Sequence, residues 1–377
     1  MIEGGIYDVA IVGAGPAGSS AGIRLALAGK RVVLIEKEKF PRHKLCGEFI
    51  SPECLTHFDE LGVLDAMRDS GGVDIKKTVF YARSGKGVEV PSEWFGAVHK
   101  HALGLSRAEM DLRLLKRSRE VGVDVLEETS VVDLLRDNGS VVGVTTRTRD
   151  IFARVTLDAT GRMRFLARRA YNSDVARKAE SVAFKTHVGG CGVPDDVCEI
   201  FSYARGYGGS SRVENGLHNL CFIAAADDVK QLGSDPKRVL RELVCTNKRA
   251  AAVFGDIRFV AEWHAVPIER YGRGNVAPDL GLLTIGDAAA FIDPFTGSGM
   301  LLALESARIA ADSIMKMNDP VDLAFEFSQQ YSAAFDSRLS MCSLLRRLSF
   351  IPLLAETTVR SLAVSSSVRK FIVRATR

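Results

Sequence analysis

An α/β fold, interrupted by a β-rich insertion and closed by C-terminal helices, is what this sequence predicts, and three observations carry the prediction. The first is Tyr7 to Val12 followed by Gly13-Ala14-Gly15-Pro16-Ala17-Gly18, a buried strand entering a glycine turn and then a helix from Ala17 to Ala28. The second is Val32-Val33-Leu34-Ile35-Glu36, another buried strand, ending in an acid 23 residues after Gly13. The third is Gly281-Leu282-Leu283-Thr284-Ile285-Gly286-Asp287, where the buried-strand pattern returns after a long polar, β-rich stretch.

The turn has a chemical reading. Gly13 allows the sharp bend, Gly15 lets the backbone approach a pyrophosphate, and Gly18 lets the helix pack closely on the strand. The helix start, from Ala17 on, offers unpaired N–H groups and a partial positive charge to phosphates. Glu36 stands where a carboxylate can accept hydrogen bonds from ribose hydroxyls. A lone GxGxxG is a weak signal. Here strand, helix, second strand and acid agree, and together they describe a Rossmann-type dinucleotide site.

The 377 residues exceed one typical domain, and 46% apolar with 25% charged residues is ordinary for a globular enzyme. A formal charge of +4 is too small to argue for nucleic acid. The seven cysteines (46, 54, 191, 198, 221, 245 and 342) show no CxxC and no metal spacing. An odd, scattered set favours reduced thiols and a cytoplasmic setting, and no metal site is expected. The N-terminus lacks the pattern of a signal peptide, and no apolar run approaches the length of a membrane span.

The elements follow in order. Lys37 to Glu48 is a polar connection, after which Ser51-Pro52 opens a helix that stops at Gly62. Val73 to Val90 reads as two strands joined near Ser84-Gly85-Lys86-Gly87. Ser106 caps a helix from Arg107 to Val121, and Val123 to Leu126 is a strand. Val131–Leu135 and Val141–Thr148 form a meander broken at Asn138-Gly139, and Phe152–Leu157 leads into Asp158-Ala159-Thr160-Gly161-Arg162. The insertion offers strands at 182–186, 207–213 and 219–225, a helix from Pro236 to Asn247 and a strand near 259–266. Helices follow at 299–317 and about 322–345. The predicted domains are residues 1–72, 100–170 and 278–317 for the nucleotide, 73–99 and 171–277 for the substrate, and 318–377 as a helical region.

Gly286-Asp287 to Gly297-Ser298-Gly299-Met300 is the second informative stretch. A strand delivers Asp287 to a loop, and the glycines open a helix whose N–H groups suit an anion; an isoalloxazine ring, negative near N1 and O2 when reduced, fits this. Gly13-Gly15-Gly18 with Glu36, Asp158-Ala159-Thr160-Gly161-Arg162, and Gly286-Asp287…Pro294…Gly297-Ser298-Gly299 together resemble the FAD-dependent fold of the aromatic hydroxylases. Within that group the chain is most similar to the geranylgeranyl reductase and FixC-like flavoproteins, relatives of the flavin-dependent halogenases. Pro41-Arg42-His43-Lys44-Leu45-Cys46-Gly47-Glu48 resembles their P-x-x-K-x-C-G segment. The resemblance covers nearly the whole chain to about residue 345. It implies FAD extended along the first domain, its ring facing a β-sheet substrate domain.

The cofactor contacts so implied are Gly13, Ala14, Gly15, Pro16, Ala17, Gly18, Glu36, Lys37, Arg42, Cys46, Gly47, Arg107, Val132, Gly161, Gly286, Asp287, Pro294, Gly297, Ser298, Gly299 and Met300. Glu36 is placed on the adenosine ribose and Asp287 on the ribitol or pyrophosphate; the alternative for Arg107 is a surface ion pair with Asp111. Cys46 and Tyr207 are the candidate catalytic residues, with Tyr203 and Arg205 nominated only by their place in the insertion. Cys46 reads either as a proton donor or as a small buried space-filler. His99, His101 and His264 read as structural or solvated.

The departures from the family pattern bear on the reaction. Prenyl reductases carry Y-x-W-x-F-P; Tyr207-Gly208-Gly209-Ser210-Ser211-Arg212-Val213 keeps only the tyrosine. Halogenases carry W-x-W-x-I-P; Trp263-His264-Ala265-Val266-Pro267 lacks the second tryptophan, which disfavours halogenation, and Lys76 and Lys77 read as solvated. The expected activity is an FAD-dependent oxidoreductase acting on a hydrophobic small molecule by hydride transfer to or from carbon. The alternatives are a monooxygenase that activates O2 with the reduced flavin, and an electron-transfer flavoprotein serving a quinone or carrier. With one Gly-rich motif visible, electrons are expected from transiently docked NAD(P)H or from a separate reductase or carrier. Residues 346–377 carry seven basic residues and one acid among apolar ones, which suits either peripheral membrane contact or a helix packed on the protein.

Overall fold

The computed structural model describes residues 5–95, 98–171, 179–268, 271–293, 295, 297–349, 367, 369 and 370, with side chains of the last long helix as far as Cys342. Tyr7–Val12 runs parallel to Val32–Ile35 on one side and to Asp150–Asp158 on the other, with Val9 opposite both Val32 and Val155. Asp124–Leu126 and Leu282–Thr284 extend the sheet at its two ends, also parallel. These strands are almost continuously apolar because both sheet faces are covered. Val9 and Ile11 pack against the helices Pro16–Leu27, Arg107–Glu120, Gly299–Lys316 and Pro320–Ser349. Ala10 and Val12 face the meander and Phe165–Ala170.

The meander grows from the first half of Asp150–Asp158, which pairs antiparallel with Ser140–Thr146, and that strand with Val131–Asp137. Its turn is Asn138-Gly139, with φ of 47° and 80°, the double positive φ that fits the twist of a two-residue hairpin. Ser106 caps Arg107–Glu120 by accepting a hydrogen bond from the Glu109 N–H.

The second sheet has eight strands. Arg258–Phe259 and His264–Ile268 both pair with Ser181–Gly189, and the order continues through His218–Ala225, Gly206–Arg212, Val197–Tyr203, Lys77–Tyr81 and Gly87–Pro91. Its two faces follow the strand period of two. Phe184, Phe201, Tyr203, Leu220 and Phe222 enter a core with the helices Pro236–Glu242 and Lys248–Val253. Cys198, Ile200, Ser202, Cys221 and Ile223 face the first domain across a cleft.

Four features depart from the sequence reading. Val197–Tyr203 is a central strand that does not figure among the strands expected at 182–186, 207–213 and 219–225. The helix expected to reach Asn247 stops at Glu242, and Asn247 instead caps Lys248–Val253, accepting from the N–H groups of Arg249 and Ala250. The strand expected at 259–266 is two strands. Phe49–Ile50, Val73–Ile75 and Ala102–Gly104 form a small antiparallel sheet whose members are too short to show a period. Of the basic tail, residues 350–366, 368 and 371–377 lie outside the described residues.

The small sheet meets the large one at Gly104, where a Cβ would lie 2.0 Å from the Arg212 carbonyl oxygen. Gly104→Ala is expected to force the two apart and to destabilise the protein by about 1–3 kcal/mol. Thermal unfolding checks this, an unchanged melting temperature being the contrary result.

Candidate active site

A cleft of about 940 Å³ runs from the carboxyl ends of the parallel strands to the open face of the eight-stranded sheet. At its floor a Cβ on Gly13 would lie 2.4 Å from the Ala159 carbonyl oxygen, and one on Gly18 would lie 1.9 Å from that of Gly13. Those two glycines let turn, strand and helix touch. Gly15 differs: its Cβ would meet only the Arg107 Nη2, at 3.9 Å, so the backbone lies open to the cleft beside a guanidinium. The helix Pro16–Leu27 starts here with no side-chain cap, and its first N–H groups remain available to an anion.

A chain of buried charges runs along the same wall. The Ala14 N–H donates to Glu36 Oε2 at 3.0 Å and the Glu38 N–H to Oε1 at 3.1 Å. Arg42 reaches Glu36 Oε2 at 3.4 Å and donates to Asp111 Oδ2 at 2.8 Å. Arg107 grips the same Asp111 with two bonds, at 2.9 and 2.7 Å. Burial alone would weaken the Arg107 charge; Asp111 outweighs it and the Cys46 thiol adds a hydrogen bond, so the guanidinium is held more firmly than usual. Farther along, burial pushes the half-buried Asp287 carboxyl up to about 6, against the charges of Arg107 and Arg162. Gly297, Gly299 and Met300 bring the start of Gly299–Lys316 to the cleft, and a Cβ on Gly299 would meet nothing within 4 Å.

These residues fit an extended dinucleotide. An acid stands at the ribose end, Arg107 and a bare helix start stand by the open backbone of Gly15 for the pyrophosphate, and a second helix start stands at the far end. Residues 6–159 match the family of the FAD binding domain. Residues 6–159 carry this FAD-binding domain. It is 27% identical over 373 residues to conditioned medium factor receptor 1 of Dictyostelium discoideum, covering 89% of this chain and 69% of that one. It is 27% identical over 343 residues to the 1H-pyrrole-2-carbonyl-[peptidyl-carrier protein] brominase of Pseudoalteromonas luteoviolacea, covering 85% and 80%. It is 26% identical over 384 residues to the menaquinone reductase of Mycobacterium tuberculosis, covering 95% and 88%. Its fold superposes on that of a flavin-dependent brominase with a TM-score of 0.82 at 22% identity, covering 99% and 93% of the two chains. The chain is an FAD-dependent enzyme, similar in sequence to reductases and halogenases.

Within this flavoprotein the structure sorts the residues singled out by sequence. Gly13, Gly15, Pro16, Ala17, Glu36, Lys37, Arg42, Cys46, Gly47, Arg107, Gly161, Gly286, Asp287 and Tyr207 line the cleft. Four expected contacts do not. Ala14 is buried and holds Glu36 through its N–H, and Gly18 serves packing. Val131 lines the cleft in place of Val132, since successive residues of a strand face opposite ways. Ser298 is buried against Leu301, Leu302 and Cys342, off the cleft. Pro294 lies outside the described residues. The Arg107–Asp111 pair weighed as a surface contact is buried and belongs to the site.

Tyr207 donates from its hydroxyl to Asp293 Oδ1 at 2.6 Å, and burial together with the Asp293 charge holds its proton well above the usual range. Tyr203, one strand over, points into the opposite core and donates to the carbonyls of Tyr207 and Ile223; Arg205 is exposed and pairs with Asp228. His99 and His101 pair with Asp59 and Asp74 near the surface.

The sequence reading missed a group behind Cys46. Glu48, fully buried with φ of 53°, accepts from the Arg107 N–H at 2.8 Å, binds Lys185 Nζ through Oε1, and lies 2.6 Å from His187 Nε2 through Oε2. Lys185 is 1% exposed. Burial would raise the Glu48 carboxyl, but His187 and Lys185 overcome it and keep it below the usual range.

Three outcomes are expected. Glu36→Ala weakens FAD binding by about tenfold to a hundredfold, the loss of a charge-assisted bond, as read by fluorescence titration. Gly299→Val fills cleft space at a position where a Cβ meets nothing within 4 Å, so FAD occupancy is expected to fall while the apoprotein melts as before. Because the folded Asp287 binds its proton up to about pH 6 and an unfolded one only to about 4, apoprotein stability falls across that window as pH rises. Asp287→Asn removes that fall and raises the apoprotein melting temperature at pH 7 relative to the parent.

Proposed function

We propose that the protein moves hydride between FAD and a carbon of a hydrophobic small molecule, in the manner of a carbon–carbon double-bond reductase. The observation that carries this is the far half of the cleft. Beyond Cys46 its walls are Phe80, Val88, Val90, Phe95, Ile200 and Phe295, an apolar chamber open to the cofactor half. Apolar walls bind an apolar molecule by the area they remove from water, and they exclude water from the reacting carbon. Bound FAD supplies the hydride chemistry there.

The chain's own residues bind, orient and shield. Tyr207, its proton committed to Asp293, orients the wall rather than supplying protons. The menaquinone reductase relative supports reduction of a quinone-bearing or isoprenoid molecule. The brominase relative argues the other way. Against it, Ala265 is exposed on the edge strand where the second tryptophan would stand. Lys76 and Lys77 pair with Asp196 and Glu89 away from the cleft. We propose further that electrons come from NAD(P)H docking transiently or from a separate reductase or carrier. The protein is proposed to act in the cytoplasm, touching the membrane surface through its basic C-terminal residues; no described helix is long and apolar enough to cross a membrane.

The FAD-loaded protein, reduced with dithionite under argon, is expected to convert a polyprenyl lipid, whose double bonds dithionite alone leaves intact, into a product heavier by two hydrogens. Mass spectrometry reads this. Oxygenated or brominated products in air, with no hydrogenated product under argon, would overturn the reading.

A further inference from the structure

The buried group of Glu48, Lys185 and His187 is no part of the apolar chamber walls, yet Glu48 lines the cleft. A buried carboxylate shared by two basic side chains is costly unless its charge has work there. Lys185 sets its charge against that of Glu48, and the His187 ring beside them has a second nitrogen at which a proton can add. We propose that this group is a proton-uptake site: when electrons enter the cofactor in the cleft, His187 takes a proton from solvent and sets a positive charge against the incoming negative one.

The surroundings give the proton one place to rest. His187 Nε2 is committed to Glu48 Oε2, so the proton adds at Nδ1. His43, exposed on the loop above, has its ring centre 6.0 Å from that of His187, and His264 on the edge strand is 5.6 Å from His43. Burial and the Lys185 charge push both of these imidazoles below the usual histidine range, so they can pass a proton without keeping it. His187 differs by having a carboxylate in contact. Glu214 and Glu262 act on His43 and His264 from a distance and raise them only in part. From the other elements, Lys44 offers its carbonyl oxygen to Lys185, and the Cys221 thiol, pushed up to about 12 by burial, stays neutral. Arg107 holds Glu48 through its N–H and stays charged, bound to Asp111. The step moves a proton and nothing else: water or a buffer acid loses H⁺, His187 gains it, and the electrons come from the external reductant. It requires only that FAD be reduced in the cleft, whatever the organic substrate.

The test is proton counting during reduction of the FAD-loaded protein by dithionite in weak buffer, with a pH-indicator dye and no organic substrate. Near pH 7 the parent is expected to take up more protons per FAD than His187→Gln, by up to about one, while His264→Gln matches the parent count. Equal counts in the parent and in a fully FAD-loaded His187→Gln overturn the proposal. Should that variant not hold FAD, ¹⁵N-histidine NMR of the parent decides: His187 is expected to turn from neutral to imidazolium on reduction, and an unchanged ring overturns the proposal. Since no substrate is present, failure here is separate from failure of the hydride reading.

Discussion

Asp111 is the carboxylate on which the cofactor wall depends. It is fully buried and holds two guanidiniums, those of Arg42 and Arg107, in fixed places. Arg107 is thereby aimed at the open backbone of Gly15, and Arg42 at Glu36. The ribose and pyrophosphate ends of the cleft are thus set by one residue. Inside a protein such an arrangement holds because every charge is matched, and removing the central one would leave Arg107 without its carboxylate and Arg42 with Glu36 alone, at 3.4 Å.

The second constraint joins the two sheets. The polar connection after Glu36 crosses from the cofactor wall to the eight-stranded sheet and ends at Glu48, held in a left-handed conformation unusual for a non-glycine residue. Its partners come from the start of one helix and from one strand of the far sheet. Asn219, on the neighbouring strand, donates to the Cys46 carbonyl at 3.2 Å and pins the same segment. The cofactor half and the chamber half of the cleft are therefore held in register by these polar contacts together with an apolar cluster in which Leu45, Phe291 and Phe295 meet Ala183, Tyr207 and Ile223 of the large sheet.

What the sequence made legible follows from the range of the interactions. The glycine turn, the Ser106 cap and the Asn138-Gly139 hairpin are local, and each residue type answers to a backbone need a few positions away. The strand Val197–Tyr203 and the identity of the facing residues were not local matters. Tyr203 and Tyr207 look alike in the sequence, yet strand pairing sends one into a core and the other onto the cleft. Val131 and Val132 differ only by the pleat. Glu48 meets His187 across 139 positions of chain, and nothing in either neighbourhood marks the pair. An alternation of Ala183, Lys185 and His187 along one strand was the available signal, since a lysine among buried strand residues asks for a partner.

The alternation of the large sheet has an evolutionary consequence. Along Val197–Tyr203, Ile200 and Ser202 alternate with Phe201 and Tyr203, and along His218–Ala225, Cys221 and Ile223 alternate with Leu220, Phe222 and Ala224, which hold the helical core behind. Substitutions at Cys198, Ile200, Ser202, Cys221 or Ile223 can therefore reshape the chamber while their neighbours preserve the scaffold, and none of them belongs to the FAD wall. Such a layout lets one lineage explore new chemistry by single steps without first losing its cofactor. That is a physical reason for relatives as unlike in name as a reductase and a brominase to share this architecture.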